Sequence, residues 1–398
     1  MGVQARMHGL IAGLARRHDV TVVSLTEDGF DRDTASRALG EYCREYRLVQ
    51  NVAAGTLWRR RLLQVRSLIS ASSPQRLRFE VPQLQQELDR VLTRTRFDVV
   101  KLALPYLSHL RLRQSPPGSP PPRVVLDTHD IAYDLLRQAA QSRASVGRRV
   151  FAALTWRKLA REERAAWRAA DGLCACSEAD KQRILADVPA ARVAVIPNAA
   201  DLEYFRTRPS DPSPDGRTVL FFGLLSTFPN ADGVAFLLRE IWTRVADARP
   251  DARCKIVGAQ PPEWLKARAG PRLEITGVVE DLRPHLASAA VVVVPLRFGS
   301  GTRLKIVEAM AMGKAIVSTS LGAEGLVAVP GRDLLIADEP AAFADAVIDL
   351  LEHPDRATRL GVAGRALVEE RYAWSRAARE LEDFIRLLGT AGPPGGQA

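Results

Sequence analysis

Short apolar runs alternate with amphipathic stretches along nearly the whole chain, as strands and helices do when they follow one another in turn. Strands are expected at residues 20–25, 98–102, 124–126, 173–176 and 193–196, with helical segments between them. A polar, proline-rich passage at 206–217, RTRPSDPSPDGR, reads as a linker. Beyond it the alternation restarts, with strands expected at 218–222, 254–257, 273–275, 291–294 and 315–318. The run at 291–294 is valine throughout, which suits a strand buried on both faces of a parallel sheet. The economical reading is α/β, with two doubly wound, Rossmann-like units at 1–205 and 206–372. A terminal helix at 373–388 and a disordered tail at 389–398 follow. PPGSPPP at 116–122 is a stiff loop within the first unit.

The opening of the first unit departs from this plan. A doubly wound domain begins with a central strand whose carboxyl end carries a glycine loop, whereas this sequence passes from Met1 and Gly2 into a helix at 3–17. Two neighbouring strands would then lack a partner. The sequence is therefore expected to start inside a longer gene, with Gly2 left over from a glycine-glycine loop. An upstream in-frame strand would support this, and an upstream stop codon would sink it.

Composition narrows the class. With 398 residues and 46% hydrophobic content, two domains can each build a core, which excludes a disordered or fibrous chain. The formal charge of +10 permits an anionic partner. Its basic segments are dispersed and lack interleaved aromatics, so nucleic acid is not expected. Cys43, Cys174, Cys176 and Cys254 show no zinc spacing and fit a reducing cytosol. No apolar run approaches the roughly 20 residues that cross a bilayer, so any membrane contact is expected to be peripheral.

The densest chemistry lies at 291–326, VVVVPLRFGSGTRLKIVEAMAMGKAIVSTSLGAEGL. Gly299 and Gly301 let backbone pass close to a ligand, and a helix expected to begin at Thr302 presents unpaired N–H groups beside Arg303 and Lys305. A diphosphate would be held there. Glu308 falls on the helix stripe of Leu304, Val307 and Ala311, where a ribose diol would satisfy its carboxylate. The plainer alternative is an i,i+3 ion pair between Lys305 and Glu308 on a solvated face.

These residues, with VLDTHD at 125–130, CSEADK at 176–181 and IPNAADLEYF at 196–205, resemble the family 4 glycosyltransferases. The resemblance covers nearly the whole chain. It implies a GT-B fold, two Rossmann-like domains with a cleft between them and a C-terminal helix crossing back. It also implies a retaining enzyme that needs no cofactor or metal and takes a nucleoside diphosphate sugar as donor. By the same resemblance Glu308 holds the donor ribose, cations near the diphosphate balance its charge, His129 faces the donor sugar, and Gly277 and Val278 touch the base. Two positions depart from the family pattern. Ser300 stands where many members carry a second Glu that touches the sugar. The loop after the first strand of the second unit, FFGLLSTFPNADG at 221–233 around Gly223, lacks the usual Arg and Lys.

Other candidates carry competing readings. His129 and Asp130 follow an expected strand and so fall at its carboxyl end, but Asp130 could equally cap the next helix. Glu324 lies in a turn between Gly322 and Gly325, where it could contact a sugar or simply face solvent. Asp31, Arg32 and Asp33 imitate a metal-binding Asp-x-Asp, yet Asp33 makes a sensible helix cap. Residues 57–72, LWRRRLLQVRSLISAS, align Trp58, Leu62, Val65 and Ile69 on one stripe. That stripe could dock on an anionic membrane, but packing against the first unit is the preferred reading.

The expectation is a cytoplasmic enzyme, at the inner face of the cell membrane if its acceptor is lipid-linked, that moves a sugar to a glycan or lipid-linked acceptor. Arg303, Lys305 and His129 act in catalysis. Gly2, Gly223, Gly277, Val278, Gly301, Thr302 and Glu308 bind donor, while Asp130, Ser300 and Glu324 contact sugar or acceptor. The alternatives are a nucleotide-sugar epimerase on the same fold and a non-catalytic assembly partner.

Overall fold

A computed structural model describes residues 2–27, 31–51, 57–141 and 146–390. They divide into two compact units, one built from residues 3–196 with the stretch from Ala377 onward, the other mainly from 197–376.

The first unit runs through α1 (Gly2–Leu14), β1 (Thr21–Thr26), α2 (Arg32–Gly40), β2 (Glu45–Gln50), α3 (Leu57–Ile69), α4 (Pro82–Arg94), β3 (Val99–Leu102), β4 (Arg123–Thr128), α5 (Ala132–Gln141), α6 (Val146–Ala169), β5 (Gly172–Ala175) and β6 (Val193–Val195), numbering the principal helices only. Every paired strand is parallel, but they form two separate sheets, β1-β2 and β3-β4-β5-β6. β4 and β5 are buried almost end to end, and Trp167 of α6 seals their core. β2, EYRLVQ, escapes the sequence reading because only Val49 of its six residues is buried and its charges disguise the strand.

Two expectations in this unit are corrected. Asp31, not Asp33, caps α2, accepting from the N–H groups of Asp33 and Thr34 at 3.1 and 3.0 Å. The apolar stripe of α3 does not pack inward, since Trp58, Leu62, Val65 and Ile69 are 62%, 56%, 58% and 87% exposed. α3 leans on α6 by its other side, where the Lys158 ammonium donates to the carbonyls of Ser67 and Ser70 at 2.5 and 2.7 Å.

The second unit contains β7 (Thr218–Phe222), α7 (Phe228–Phe236), β8 (Arg253–Val257), β9 (Leu273–Gly277), β10 (Val291–Val294), α8 (Leu304–Ala311), β11 (Ala315–Ser318), β12 (Leu335–Ile336) and α9 (Pro354–Arg371), and α10 (Trp374–Thr390) follows it. Its strands make one parallel sheet in the order β12-β11-β10-β7-β8-β9, with β7, β10 and β11 wholly buried. Residues 197–205 cluster with this unit: the Ala200 N–H donates to the Tyr372 carbonyl at 2.8 Å, and Phe205 packs in its core.

From Ala377 onward α10 belongs with the first unit and buries Leu381 and Leu388. It approaches β5 so closely that a Cβ on Gly172 would lie 2.8 Å from the Phe384 ring, which leaves room only for glycine. Residues 391–398, most of the expected tail, lie outside the described residues.

Candidate active site

Because all strands of the second unit run parallel, their carboxyl ends share one edge of the sheet. Strand order reverses its direction of growth between β7 and β10, and a crevice for ligand opens at such a reversal. Glycines end the three strands on one side: Gly223 after β7, Gly258 after β8 and Gly277 closing β9. Gly223 and Gly277 have φ of 152° and 72°, and a Cβ on Gly258 would overlap the Gly223 carbonyl oxygen. Val278, next to Gly277, is exposed.

On the other side β10 leads into the loop at 295–303. Gly299 and Gly301 adopt φ of 136° and 74°, and Ser300 and Thr302 are buried. α8 begins at Leu304, with Arg303 as its cap position, so the helix starts two residues later than the sequence implied. Arg303 folds back over this loop, its guanidinium donating to the carbonyls of Ser300 and, at 2.9 Å, Gly301. A Cβ on Gly299 would overlap that guanidinium. The loop is tied down further by Asn198, whose side-chain amide donates to the Thr302 carbonyl at 3.0 Å.

Lys305 joins the two sides. Its ammonium donates to Asn230 Oδ1 at 2.8 Å and sits 4.2 Å from the centroid of the Phe221 ring. A Cβ at Gly223 would lie 3.0 Å from that ammonium and 3.0 Å from Asn230 Nδ2, so Gly223, Asn230 and Lys305 meet at one point. Burial, then the neighbouring Arg303, push the Lys305 amine down to about 7, with Glu308 acting in opposition. Glu308 lies one turn on, and burial pushes its carboxyl up to about 7 against the pull of Lys305. Among the described residues no Lys305–Glu308 ion pair forms; the ammonium goes to Asn230 instead. Glu324 lies in the turn after β11, where the Gly322 backbone approaches so closely that a Cβ would stand 2.7 Å from the Val294 carbonyl.

In the first unit the carboxyl end of β4 carries Asp127, fully buried and paired with Arg6 at 2.8 Å and Lys101 at 2.5 Å. Burial alone would raise its carboxyl, but the two cations outweigh it and hold Asp127 well below the usual range. His129 stands two residues further on. Burial pushes its imidazole down to about 4, only partly offset by Asp127, so the ring is neutral at physiological pH. Its Nε2 is buried with no hydrogen-bond partner among the described residues, a state that calls for a ligand or water. The N–H groups of Ala132 and Tyr133 at the start of α5 go to Glu163 of α6, at 3.3 and 3.0 Å. Glu163 thus shares in capping this helix.

The second unit therefore brings together Gly223, Gly301, Thr302, Arg303, Lys305 and Glu308, and the first unit sets His129 beside Asp130. Gly2 opens α1 with open space around it, so nothing there demands a glycine. Asn230, Gly258 and Glu163 were missed. Asn230 carries a faint signal, a polar side chain in the first turn of the helix after β7. Cys174, Cys176 and Cys254 are buried, and burial pushes each thiol up to about 12, which leaves no reactive thiolate. Among the described residues no group of three His, Cys, Asp or Glu could hold a metal.

Comparison with known proteins agrees with this geometry. Residues 1–204 match the family model described as Glycosyltransferase Family 4, and residues 216–353 match that of Glycosyl transferases group 1. The chain is 34% identical over 210 residues to phosphatidyl-myo-inositol mannosyltransferase of Mycobacterium tuberculosis, covering 50% of this chain and 54% of that one. It is 28% identical over 253 residues to alpha-maltose-1-phosphate synthase of Mycolicibacterium smegmatis, covering 56% and 65%. The chain thus spans about half the length of the mannosyltransferase it matches. Among solved structures, sucrose-phosphate synthase of Thermosynechococcus elongatus superposes with a TM-score of 0.71 at 19% identity, covering 96% of this chain and 92% of that one. Anabaena HepE in complex with UDP and glucose gives 0.63 at 16% identity, covering 97% and 96%. Both likenesses support a GT-B fold of two Rossmann-like units.

Proposed function

The chain belongs to the family 4 glycosyltransferases, and from that premise we propose that it transfers a hexose-type sugar, with retention at the anomeric carbon, from a nucleoside diphosphate sugar to a glycan or lipid-linked acceptor. The observation that carries the donor half is the meeting of Lys305, Asn230 and Gly223 at the strand-order reversal. A diphosphate placed there would exchange the Asn230 amide for oxygen anions around the ammonium and lie against the first N–H groups of α8. Glu308 takes the ribose hydroxyls. The base lies along Gly277 and Val278, and His129 offers its unpartnered Nε2 to the sugar, with Asp130, Ser300 and Glu324 as further contacts.

Catalysis in this reading is electrostatic. As the bond from the anomeric carbon to the diphosphate breaks, negative charge grows on the leaving oxygens, and Arg303, Lys305 and the helix N–H groups stabilise it more than the ground state. The acceptor oxygen forms the new bond, and its proton passes to the leaving phosphate. No metal or cofactor enters these steps.

A panel of donor sugars scored by released nucleoside diphosphate tests the reading. Glu308→Ala should raise the donor KM, and Arg303→Ala should lower kcat more than it raises KM. Unchanged kinetics in both variants would remove the site. An epimerised nucleotide sugar formed without acceptor would favour the epimerase, and a chain that binds no nucleoside diphosphate by calorimetry would favour the assembly partner.

A lipid-linked acceptor is favoured by the surface of α3 and α6. Besides the exposed stripe of α3, Val146, Val150 and Leu154 of α6 face outward. Arg59, Arg61, Arg66, Arg149 and Arg157 of the same two helices are also exposed, and neither α3 nor α6 before Glu162 carries a carboxylate. Such an apolar patch with one sign of charge suits an anionic membrane. No described helix is long and apolar enough to cross one, so this contact would be peripheral, at the cytoplasmic face.

A further inference from the structure

His129 hangs in a turn whose two ends are held from outside it. The entry is Thr128, the last residue of β4, which pairs with Ala175 of β5 and whose carbonyl accepts from the Cys176 thiol at 3.6 Å. The exit is the first turn of α5. There the Asp134 and Leu135 N–H groups donate to the Ile131 carbonyl at 3.0 and 3.4 Å, so Ile131 occupies the cap position with a side chain that can accept nothing. The Ala132 and Tyr133 N–H groups left over at this helix start are taken by Glu163, one by each carboxyl oxygen.

That carboxyl arrives from another helix, 31 residues beyond Ala132. Glu163 is 1% exposed, and burial pushes its carboxyl up to about 8 against the pull of the two N–H groups. A serine at the cap position would secure the helix more cheaply, because a carboxylate taken out of water is expensive. A local cap cannot tie the turn to a second element, whereas Glu163 does. Its neighbour completes the grip on Tyr133. The Arg164 guanidinium lies 5.3 Å from the centroid of the Tyr133 ring and pairs with Asp187 at 2.9 Å, and the Tyr133 hydroxyl donates to the same carboxylate at 2.7 Å.

Between these ends the His129 ring is itself anchored. It bonds to the Ala103 backbone, while Nε2 has no partner among the described residues. A bond from Nδ1 to the Ala103 carbonyl puts the proton of the neutral ring on Nδ1 and leaves Nε2 as the acceptor.

We propose that Glu163 is a positioning residue for sugar transfer: it fixes the exit of the 129–131 turn so that His129 presents an unprotonated Nε2 to the donor sugar. This rests on the reading that His129 meets that sugar. Placement matters steeply there, since a shift of about 1 Å can cost about a hundredfold in rate.

The full chain, isotope-labelled at its histidine ring nitrogens, is compared by NMR with Glu163→Ala and with Glu163→Gln, which keeps one oxygen for an N–H and replaces the alanine variant throughout if that fails to fold. In the parent, His129 should show one neutral tautomer, protonated at Nδ1. Glu163→Ala should mix the two tautomers and speed exchange of the Ala132 and Tyr133 amides at least tenfold, with Glu163→Gln in between. Nucleoside diphosphate release from UDP-hexose and GDP-hexose donors is then measured in a double-mutant cycle. Glu163→Ala should lower kcat at least tenfold while donor KM moves less than twofold, and should add nothing once His129 is replaced by Ala. An unshifted ring signal or an unaltered kcat overturns the inference. So does a Glu163 effect that persists undiminished in the His129→Ala background, which marks a merely structural role. Unaltered kcat in His129→Ala alone removes the reading beneath it as well, as does a parent chain that releases no nucleoside diphosphate from these donors.

Discussion

Lys305 and Glu308 sit one turn apart with their ionisations drawn together, the amine pushed down and the carboxyl pushed up, each to about 7. Above that pH the free amine is neutral and offers a diphosphate no charge. Below it the carboxyl is protonated and loses acceptor capacity toward a ribose. Affinity for a nucleoside diphosphate is therefore expected to peak near pH 7 and to fall on both sides. Calorimetry across pH, in buffers of different ionisation enthalpy, should show proton uptake on binding above pH 7. Lys305→Met should flatten the alkaline limb and weaken binding about tenfold or more, the worth of a charge-assisted hydrogen bond. A flat profile in the parent chain would contradict this. At this scale the sequence displayed what lies within one helical turn, namely Arg303, Lys305 and Glu308. It hid Asn230, Gly258 and Glu163, because their partners are 75, 35 and 31 residues away and only folding brings them near.

At the scale of elements, long buried strands and the glycine-bounded α8 were legible from their patterns, whereas β2 was not. α3 shows the converse problem. Its periodicity was plain, but periodicity does not say which apolar face meets protein and which meets something else. If a membrane covers it, the chain should partition onto vesicles of phosphatidylcholine and phosphatidylglycerol, with a blue shift of Trp58 emission, and release at high salt. Replacing Leu62 and Ile69 by Glu should cut partition at least about tenfold, since each apolar side chain buried is worth roughly 1.5–3 kcal/mol. Donor affinity should not change. Equal binding to uncharged vesicles would remove the role given to the arginines.

For the whole molecule, the sequence conveyed two α/β units but not where each ends. The proline-rich run at 206–217 looked like the join, whereas residues 197–205 already pack with the second unit. Such a boundary depends on contacts with Tyr372 and its neighbours, which no local composition reveals. The first unit likewise relies on α10. Ending the chain before Trp374 would expose what Leu381 and Leu388 cover, about 3–6 kcal/mol of burial, a large part of a domain's typical stability. Scanning calorimetry should then show the first unit's transition lowered or lost while that of the second persists. An unchanged thermogram would mean that α10 is dispensable.

The packing of α10 on β5 also bears on how the chain is made. Synthesis runs from the amino end, so residues 3–196 leave the ribosome early, while the helix that closes them comes last. At about 5–20 residues per second, the 194 residues between Ile196 and Thr390 take roughly 10–40 s to add. Through that interval the side of β5 at Gly172 lacks the cover of α10, and the arginine-fringed patch of α3 is already in the open. The first unit to be synthesised is thus the last to be finished, and a nascent chain stalled in its second half would present a sticky, incomplete domain to chaperones.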